Sequence, residues 1–184
     1  MKVSRIIALH STMLSECCIS LSYMQNDYLW EKRRKKFAYD TEKLTAAVNS
    51  LIHKYHGAGQ DVIYIRHIIQ NLPTNRLLFG YSIAGTEGAE LYPGLDIVTG
   101  LCFDKLLGDA LTNKKLLTTV TEKKYEELHL CGLDEFGCVT STALGCKKRG
   151  IGVKIVRSGT ATVFPADKAE KGRAKLKKAG VEYI

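Results

Sequence analysis

The sequence predicts an α/β protein in which helices cover both faces of a mostly parallel β-sheet. Apolar, strand-like runs alternate along the chain with amphipathic segments of helical periodicity, and this alternation is typical of doubly wound sheets. The chain has 184 residues, 45% of them hydrophobic and 25% charged, which suffices for a domain with a buried core. We therefore expect a single domain over residues 1–184.

The N-terminal half supplies a strand, a helix and a second strand. Residues 17–23 are an apolar run rich in small and β-branched side chains, as in a buried strand. Residues 40–59 repeat apolar side chains at helical spacing, and residues 61–69 form the second strand. Proline and glycine punctuate residues 70–94, which predicts a loop.

The C-terminal half continues the alternation. A short strand is expected at 95–100, followed by a helix or helical turns at 103–117. The remaining elements are a strand at 126–132, a helix at 135–150, a strand at 152–158, a helix at 166–179 and the closing segment at 181–184. In such sheets the active crevice lies beyond the carboxyl ends of the strands, where strand order reverses.

The positive charge of the chain is clustered. The formal net charge is +8, and much of it falls at 31–36 and 167–180. These runs favour a solvated loop and the outer face of a helix, and no nucleic-acid-binding motif accompanies them. We therefore do not expect a nucleic-acid partner, although a basic binding or scaffold protein that holds an acidic partner stays open.

The N-terminal residues superficially resemble a signal peptide. Residues 1–18 combine a basic start with an apolar stretch, but His10 and Glu16 interrupt it and no small-x-small cleavage site follows. No run approaches the ~18 apolar residues that cross a bilayer. We expect a cytoplasmic protein with no membrane partner, whose six cysteines stay reduced.

Cys138 follows a predicted strand and a glycine-containing turn, at the first turn of a helix. Free backbone N–H groups and the helix dipole favour a thiolate there, and the same groups can bind the oxyanion formed when a carbonyl is attacked. A buried structural cysteine is the equal alternative. Cys131 and Cys146 read as packing residues, and no Cys/His spacing predicts zinc, so we expect neither a metal nor a cofactor.

Four stretches together are similar to the isochorismatase-like cysteine hydrolase family, and they cover nearly everything after Cys17. They are SYMQNDYL (22–29), DVIYIRH (61–67), GTEGAELYPGL (85–95) and CGLDEFGCVTSTALGCKKRGIGVKIV (131–156). The resemblance implies a three-layer fold with a six-stranded, mostly parallel sheet, and a homo-oligomer. It also implies a triad of Asp, Lys and Cys, in which the Cys attacks an amide carbonyl and a thioester is then hydrolysed.

Carried over residue by residue, the resemblance gives an incomplete triad. Cys138 matches the nucleophile, whereas the family aspartate falls on Tyr23 and the family lysine on Gly100. The metal-binding Asp and His residues of nicotinamidases have no counterpart near His67, which ends the second predicted strand. The remaining expected pocket positions belong to the turn before the nucleophile, and they are Asp134, Glu135 and Gly137.

The losses matter because general-base assistance contributes about 10²- to 10⁴-fold in rate, and a phenol cannot replace a carboxylate at neutral pH. We predict weak or absent hydrolysis of C–N amide bonds by the standard mechanism. The alternative is an active hydrolase on a small amide or related substrate with a relocated base, for which Glu135, Asp104 or His67 are candidates. Lys105, five residues beyond the family's lysine position, is a further candidate. Residues 1–16 are expected to form an extra arm or edge strand.

Overall fold

The computed structural model describes residues 17–33 and 35–184, and its centre is a six-stranded parallel sheet. The strands are β1 (Cys17–Ser22), β2 (Asp61–His67), β3 (Cys102–Lys105), β4 (Glu127–Gly132), β5 (Gly152–Thr160) and β6 (Glu182–Tyr183). Their order across the sheet is β3-β2-β1-β4-β5-β6, and every neighbouring pair is parallel. The predicted fold class is thereby confirmed.

In the part of the chain that the structure describes, six α-helices connect or flank the strands. They are α1 (Asn26–Leu29), α2 (Thr41–Gly57), α3 (Pro73–Leu78), α4 (Lys114–Glu122), α5 (Thr140–Lys148) and α6 (Ala166–Lys178). In the described part of the chain no helix is both long and apolar enough to span a membrane. The predicted arm at 1–16 lies outside the described residues.

Two apolar layers sandwich the sheet. On one face Val48 and Ile52 of α2 pack into a cluster with Ile19 of β1. On the other face Leu116 of α4 and Ala143 of α5 belong to a second cluster. Consecutive residues of a strand point to opposite faces of the sheet. Because both faces are covered, the buried strands are nearly continuous apolar runs in the sequence.

The segment between β2 and α4 differs from the sequence prediction. The strand expected at 95–100 is not formed; the strand is β3 (Cys102–Lys105), which overlaps the start of the segment predicted as helical at 103–117. Helix α3 was not predicted, because its Pro-Thr-Asn start reads as a turn, although proline suits the first turn of a helix.

The sheet order reverses direction between β1 and β4, which places the crevice at the carboxyl ends of these two strands. They approach each other closely there, because Gly132 ends β4 with φ +100° and a Cβ at this position would overlap the backbone of Ser22. Only glycine fits such a conformation and contact. The residues that follow Ser22 and Gly132 are therefore brought side by side.

Candidate active site

Cys138 lies in a tight turn that joins β4 to α5. Residues Glu135–Val139 form a π-helical turn in which Gly137 is exposed and has non-helical dihedral angles (φ −101°, ψ −105°). The backbone N–H groups of Gly137 and Val139 both donate to the carbonyl oxygen of Asp134. These two N–H groups are therefore already bonded within the turn rather than directed at a substrate.

Asp134 holds this turn in place. One carboxylate oxygen accepts from the backbone N–H of Phe136 (2.9 Å) and the hydroxyl of Thr162 (3.1 Å). The other accepts from the hydroxyl of Tyr39 (3.0 Å) and the N–H of Val163 (3.0 Å). Charge-assisted bonds of this kind are about twice as strong as neutral ones, so Asp134 is a positioning residue for the Cys138 turn.

Tyr23 is the side chain in contact with the thiol. It directly follows β1, it is 7% exposed, and its hydroxyl is hydrogen-bonded to the sulfur of Cys138. Burial, followed by the charge of a Cys138 thiolate, raises the pKa of the Tyr23 phenol. The phenol is therefore neutral at physiological pH, so it can donate a hydrogen bond to a thiolate but cannot carry away the thiol proton.

Lys105 ends β3 and completes the cluster. The side chain is 4% exposed, its ammonium nitrogen lies 4.7 Å from the centroid of the Tyr23 ring, and it also donates to the carbonyl oxygen of Gly108. Burial lowers the pKa of Lys105, while a charge–charge interaction and a hydrogen bond with Cys138 oppose that shift. A thiol, a phenol and an amine from the ends of β4, β1 and β3 thus meet in one place.

Gly100 is not brought to this site. It lies exposed in the loop before β3, and a Cβ built on it would meet no atom within 4 Å. The lysine beside Cys138 is Lys105, five residues further on. The sequence did not show this position because the Cys-Phe-Asp-Lys strand was read as the start of a helix; a lysine closing a short strand is the signal that points to it.

His67 packs behind Tyr23 with both ring nitrogens engaged. The two rings stack with centroids 5.1 Å apart. Nε2 lies 3.0 Å from the carbonyl oxygen of Leu106, which can only accept, so Nε2 carries the proton and Nδ1 accepts from the hydroxyl of Tyr28 (3.2 Å). Burial lowers the pKa of His67. Among the described residues, His67 is not part of a cluster of three side chains that could hold a metal ion.

Glu135 and Asp104 each form an ion pair with an arginine. Glu135 is 1% exposed, and both its oxygens accept from Arg173 of α6, at 2.8 and 2.7 Å. Asp104 is half-exposed and accepts from Arg66 at 2.8 and 3.1 Å. Of the four candidate bases, Lys105 and His67 pack against the Tyr23 ring beside Cys138, and the charge of Lys105 interacts with Cys138.

A cavity adjoins the site on the side of His67. It measures about 300 Å³ and is lined in part by His67, Tyr81 and Leu106. The Tyr23 ring, which packs edge-on to Tyr28 at 5.1 Å, fills the space next to the sulfur. The side chain of Cys138 itself stays half-buried.

The chain matches the family model described as the isochorismatase domain over residues 12–184. An isochorismatase family protein from Desulfovibrio vulgaris has 18% identity and a TM-score of 0.82, covering 92% of this chain and 94% of that one. A nicotinamidase from Bacillus subtilis has 21% identity and a TM-score of 0.75, covering 92% and 99%. N-carbamoylsarcosine amidase from Thermoplasma acidophilum has 16% identity and a TM-score of 0.78, covering 91% and 95%. A search of curated proteins found no match.

Proposed function

Since the chain belongs to the isochorismatase family, we propose that it keeps the family's nucleophile-type cysteine, Cys138, but hydrolyses C–N amide bonds weakly or not at all by the standard mechanism. The observation that carries the proposal is the hydrogen bond between Cys138 and the Tyr23 hydroxyl. The resemblance of the chain to this family assigns that place to a carboxylate.

The missing step is proton transfer. A cysteine attacks an amide carbonyl as a thiolate, so the thiol proton must move to a base and later to the departing amine. Because the pKa of Tyr23 is raised by burial, the phenol does not accept that proton at neutral pH. The Tyr23 ring also occupies space beside the sulfur that an acyl group would need.

A second candidate function is favoured by the position of the Lys105 ammonium nitrogen, 4.7 Å from the centroid of the Tyr23 ring, whose hydroxyl is hydrogen-bonded to Cys138. In this case the chain hydrolyses a small amide, and Lys105 serves as the base. Burial lowers the pKa of Lys105, so its neutral amine becomes accessible at a lower pH than that of an exposed lysine. The amine would take the thiol proton, leaving a thiolate beside an ammonium, and would return the proton to the amine that leaves.

The test compares turnover of nicotinamide, carbamoyl-amide and isochorismate-type substrates by the wild type and by variants at Cys138, Tyr23 and Lys105. We expect wild-type turnover equal to that of Cys138→Ala or only slightly above it. Tyr23→Asp places a carboxylate beside the thiol and should raise turnover by about 10²-fold, the lower range of general-base assistance. Tyr23→Phe is the matched control, since it removes the hydroxyl without adding a base.

Two results would contradict the leading proposal. Robust wild-type turnover that Cys138→Ala abolishes would show an active hydrolase, and its loss in Lys105→Met would identify the second candidate function. A Tyr23→Asp protein that folds but gains no activity on any substrate would show that the missing carboxylate is not the cause.

A further inference from the structure

We infer that Cys17, Glu127 and His129 form a binding site for a divalent metal ion of the zinc type at the amino-terminal ends of β1 and β4. One ligand atom from each of the three side chains lies within 4.8 Å of the other two. Cys17 and Glu127 begin their strands, so this site lies at the edge of the sheet opposite to Cys138. It is independent of the proposed function.

The parallel register of the two strands assembles the cluster. Cys17 pairs with Glu127, and His129 is two residues further along β4, so all three side chains project from the same face of the sheet. Cys17 is 8% exposed, whereas the side chains of His129 and Glu127 are 14% and 26% exposed. The sulfur is thus sheltered while an ion and a water ligand can still enter.

The donor set is one that zinc accepts. Zn²⁺ binds thiolate sulfur, imidazole nitrogen and carboxylate oxygen, and three protein ligands with a water in the fourth position are common. A thiolate and a carboxylate together neutralise the two positive charges of the ion. The thiolate favours zinc or cobalt over magnesium and calcium, which prefer oxygen ligands.

Metal binding requires His129 and Glu127 to move apart slightly. Nε2 of His129 lies 2.5 Å from Oε1 of Glu127, and two ligands of a tetrahedral zinc ion stand about 1 Å further apart than this. The ion would take the place of the proton between these atoms, and the thiol proton of Cys17 would pass to solvent. Lys154, 3.0 Å from Oε1, would have to shift to the second carboxylate oxygen to keep its ion pair.

Tyr55 of α2 supports the imidazole from the other side. Its hydroxyl is hydrogen-bonded to Nδ1 of His129. When Nε2 binds a metal, the imidazole carries its proton on Nδ1. The Nδ1–H group can then donate a hydrogen bond to the oxygen of Tyr55. A hydrogen bond to the second ring nitrogen is the usual support of a metal-bound histidine, because it fixes the ring orientation and the tautomer.

The experiment titrates the chelator-treated full chain with Co²⁺ and then with Zn²⁺, and follows the absorption of thiolate-bound cobalt. The expected result is a sulfur-to-cobalt charge-transfer band at one ion per chain, displaced by Zn²⁺. Cys17→Ser should lose the band, and His129→Gln should weaken binding by more than tenfold. Cys102→Ser and Cys138→Ser are the matched controls and should keep the band, since neither residue belongs to the cluster.

Absence of the band in the wild type, or its persistence in Cys17→Ser, would overturn the inference. Thermal unfolding provides a second readout, because a ligand that binds only the folded state raises the melting temperature. Zn²⁺ should raise the Tm of the wild type and of Glu127→Asp, which keeps a carboxylate, but not that of Glu127→Gln. An equal rise in Glu127→Gln would exclude this carboxylate as a ligand.

Discussion

Tyr23 has an unusual backbone conformation for a bulky residue, with φ +61°. Left-handed conformations of non-glycine residues cost about 1–3 kcal/mol and persist where the surroundings enforce them. Here the N–H of Tyr23 donates to the carbonyl of Ile65 (3.1 Å), and the ring packs against His67 and Lys105. Aspartate adopts this conformation more readily than tyrosine, so the backbone at position 23 suits the residue that the family resemblance assigns there.

The first prediction concerns the reactivity of the Cys138 thiol. Lys105→Met removes a positive charge next to the sulfur, and we expect alkylation of Cys138 by iodoacetamide at pH 7.5 to slow about tenfold, equivalent to ~1.4 kcal/mol. Modification is measured by peptide mass spectrometry in a Cys102→Ser background, since Cys102 is exposed. Lys168→Met, on the exposed surface of α6, is the control. Equal rates in all three proteins would rule out activation by Lys105.

The second prediction concerns His67 and pH. Burial lowers the pKa of His67 in the folded protein, whereas an unfolded histidine titrates near ~6.5. Below that pH the unfolded chain binds a proton that folded His67 resists, so stability is fully present above about pH 6.5 and falls as the pH decreases, by at most about 1.4 kcal/mol per pH unit.

His67→Gln should therefore show a shallower loss of stability between pH 7.5 and 5.5 than the wild type, measured by urea unfolding at each pH. His56→Gln, which changes an exposed histidine, should retain the wild-type slope. Identical slopes in the wild type and His67→Gln would show that another group sets this pH dependence.

At the scale of single elements, the short strand β3 supplies Lys105, the amine of the site. Its burial pattern leaves three residues at least partly exposed and buries only Lys105, so the strand lacks the continuous apolar run that marked β1, β2 and β4. The sequence Asp-Lys-Leu-Leu at 104–107, which begins inside this strand, fits helical spacing equally well. A short edge strand is specified by its pairing with β2, and a single sequence does not display that pairing.

The third prediction tests the contact of β1 with β4. Gly132→Ala would place a Cβ against the backbone of Ser22 at a left-handed φ, so the two strands would have to separate. We expect a loss of about 3 kcal/mol or more in the free energy of unfolding, the range of severe backbone and packing defects. Gly57→Ala is the control, because its Cβ would meet no atom within 4 Å, and it should lie within about 1 kcal/mol of the wild type. Similar stabilities of the two variants would contradict the close approach.

For the whole molecule, the layered fold and the position of the crevice followed from patterns within short windows of sequence. Periodicity identified most strands and helices, and the turn after β4 together with the family resemblance singled out Cys138. The partners of that thiol depended on tertiary structure, because Tyr23 and Lys105 come from different strands. The cluster of Cys17, Glu127 and His129 could not be predicted from the sequence either. Cys17 lies far from the other two residues in the sequence, and the register of β1 and β4 brings the three together.

The last prediction concerns assembly, for which a homo-oligomer was expected. Leu77 and Leu78 of α3 are 87% and 74% exposed, and Leu106, after β3, is 56% exposed. Asn75 of α3 and Leu106 line the same cavity, so these leucines share one region of the surface. Burying each leucine contributes about 1.5–3 kcal/mol, which makes this region the surface at which we expect a second copy to bind.

Light scattering after gel filtration should therefore give a multiple of the 20.4 kDa chain mass for the wild type and a single chain mass for the double variant Leu77→Lys, Leu78→Lys. Ile97→Lys introduces the same charge at another exposed apolar residue (54%) and should leave the assembly intact. If removing residues 1–16 dissociates the protein while the double variant does not, the N-terminal residues hold the copies together instead. A monomeric wild type at micromolar concentration would contradict both forms of the expectation, since neither surface would then be covered by a second chain.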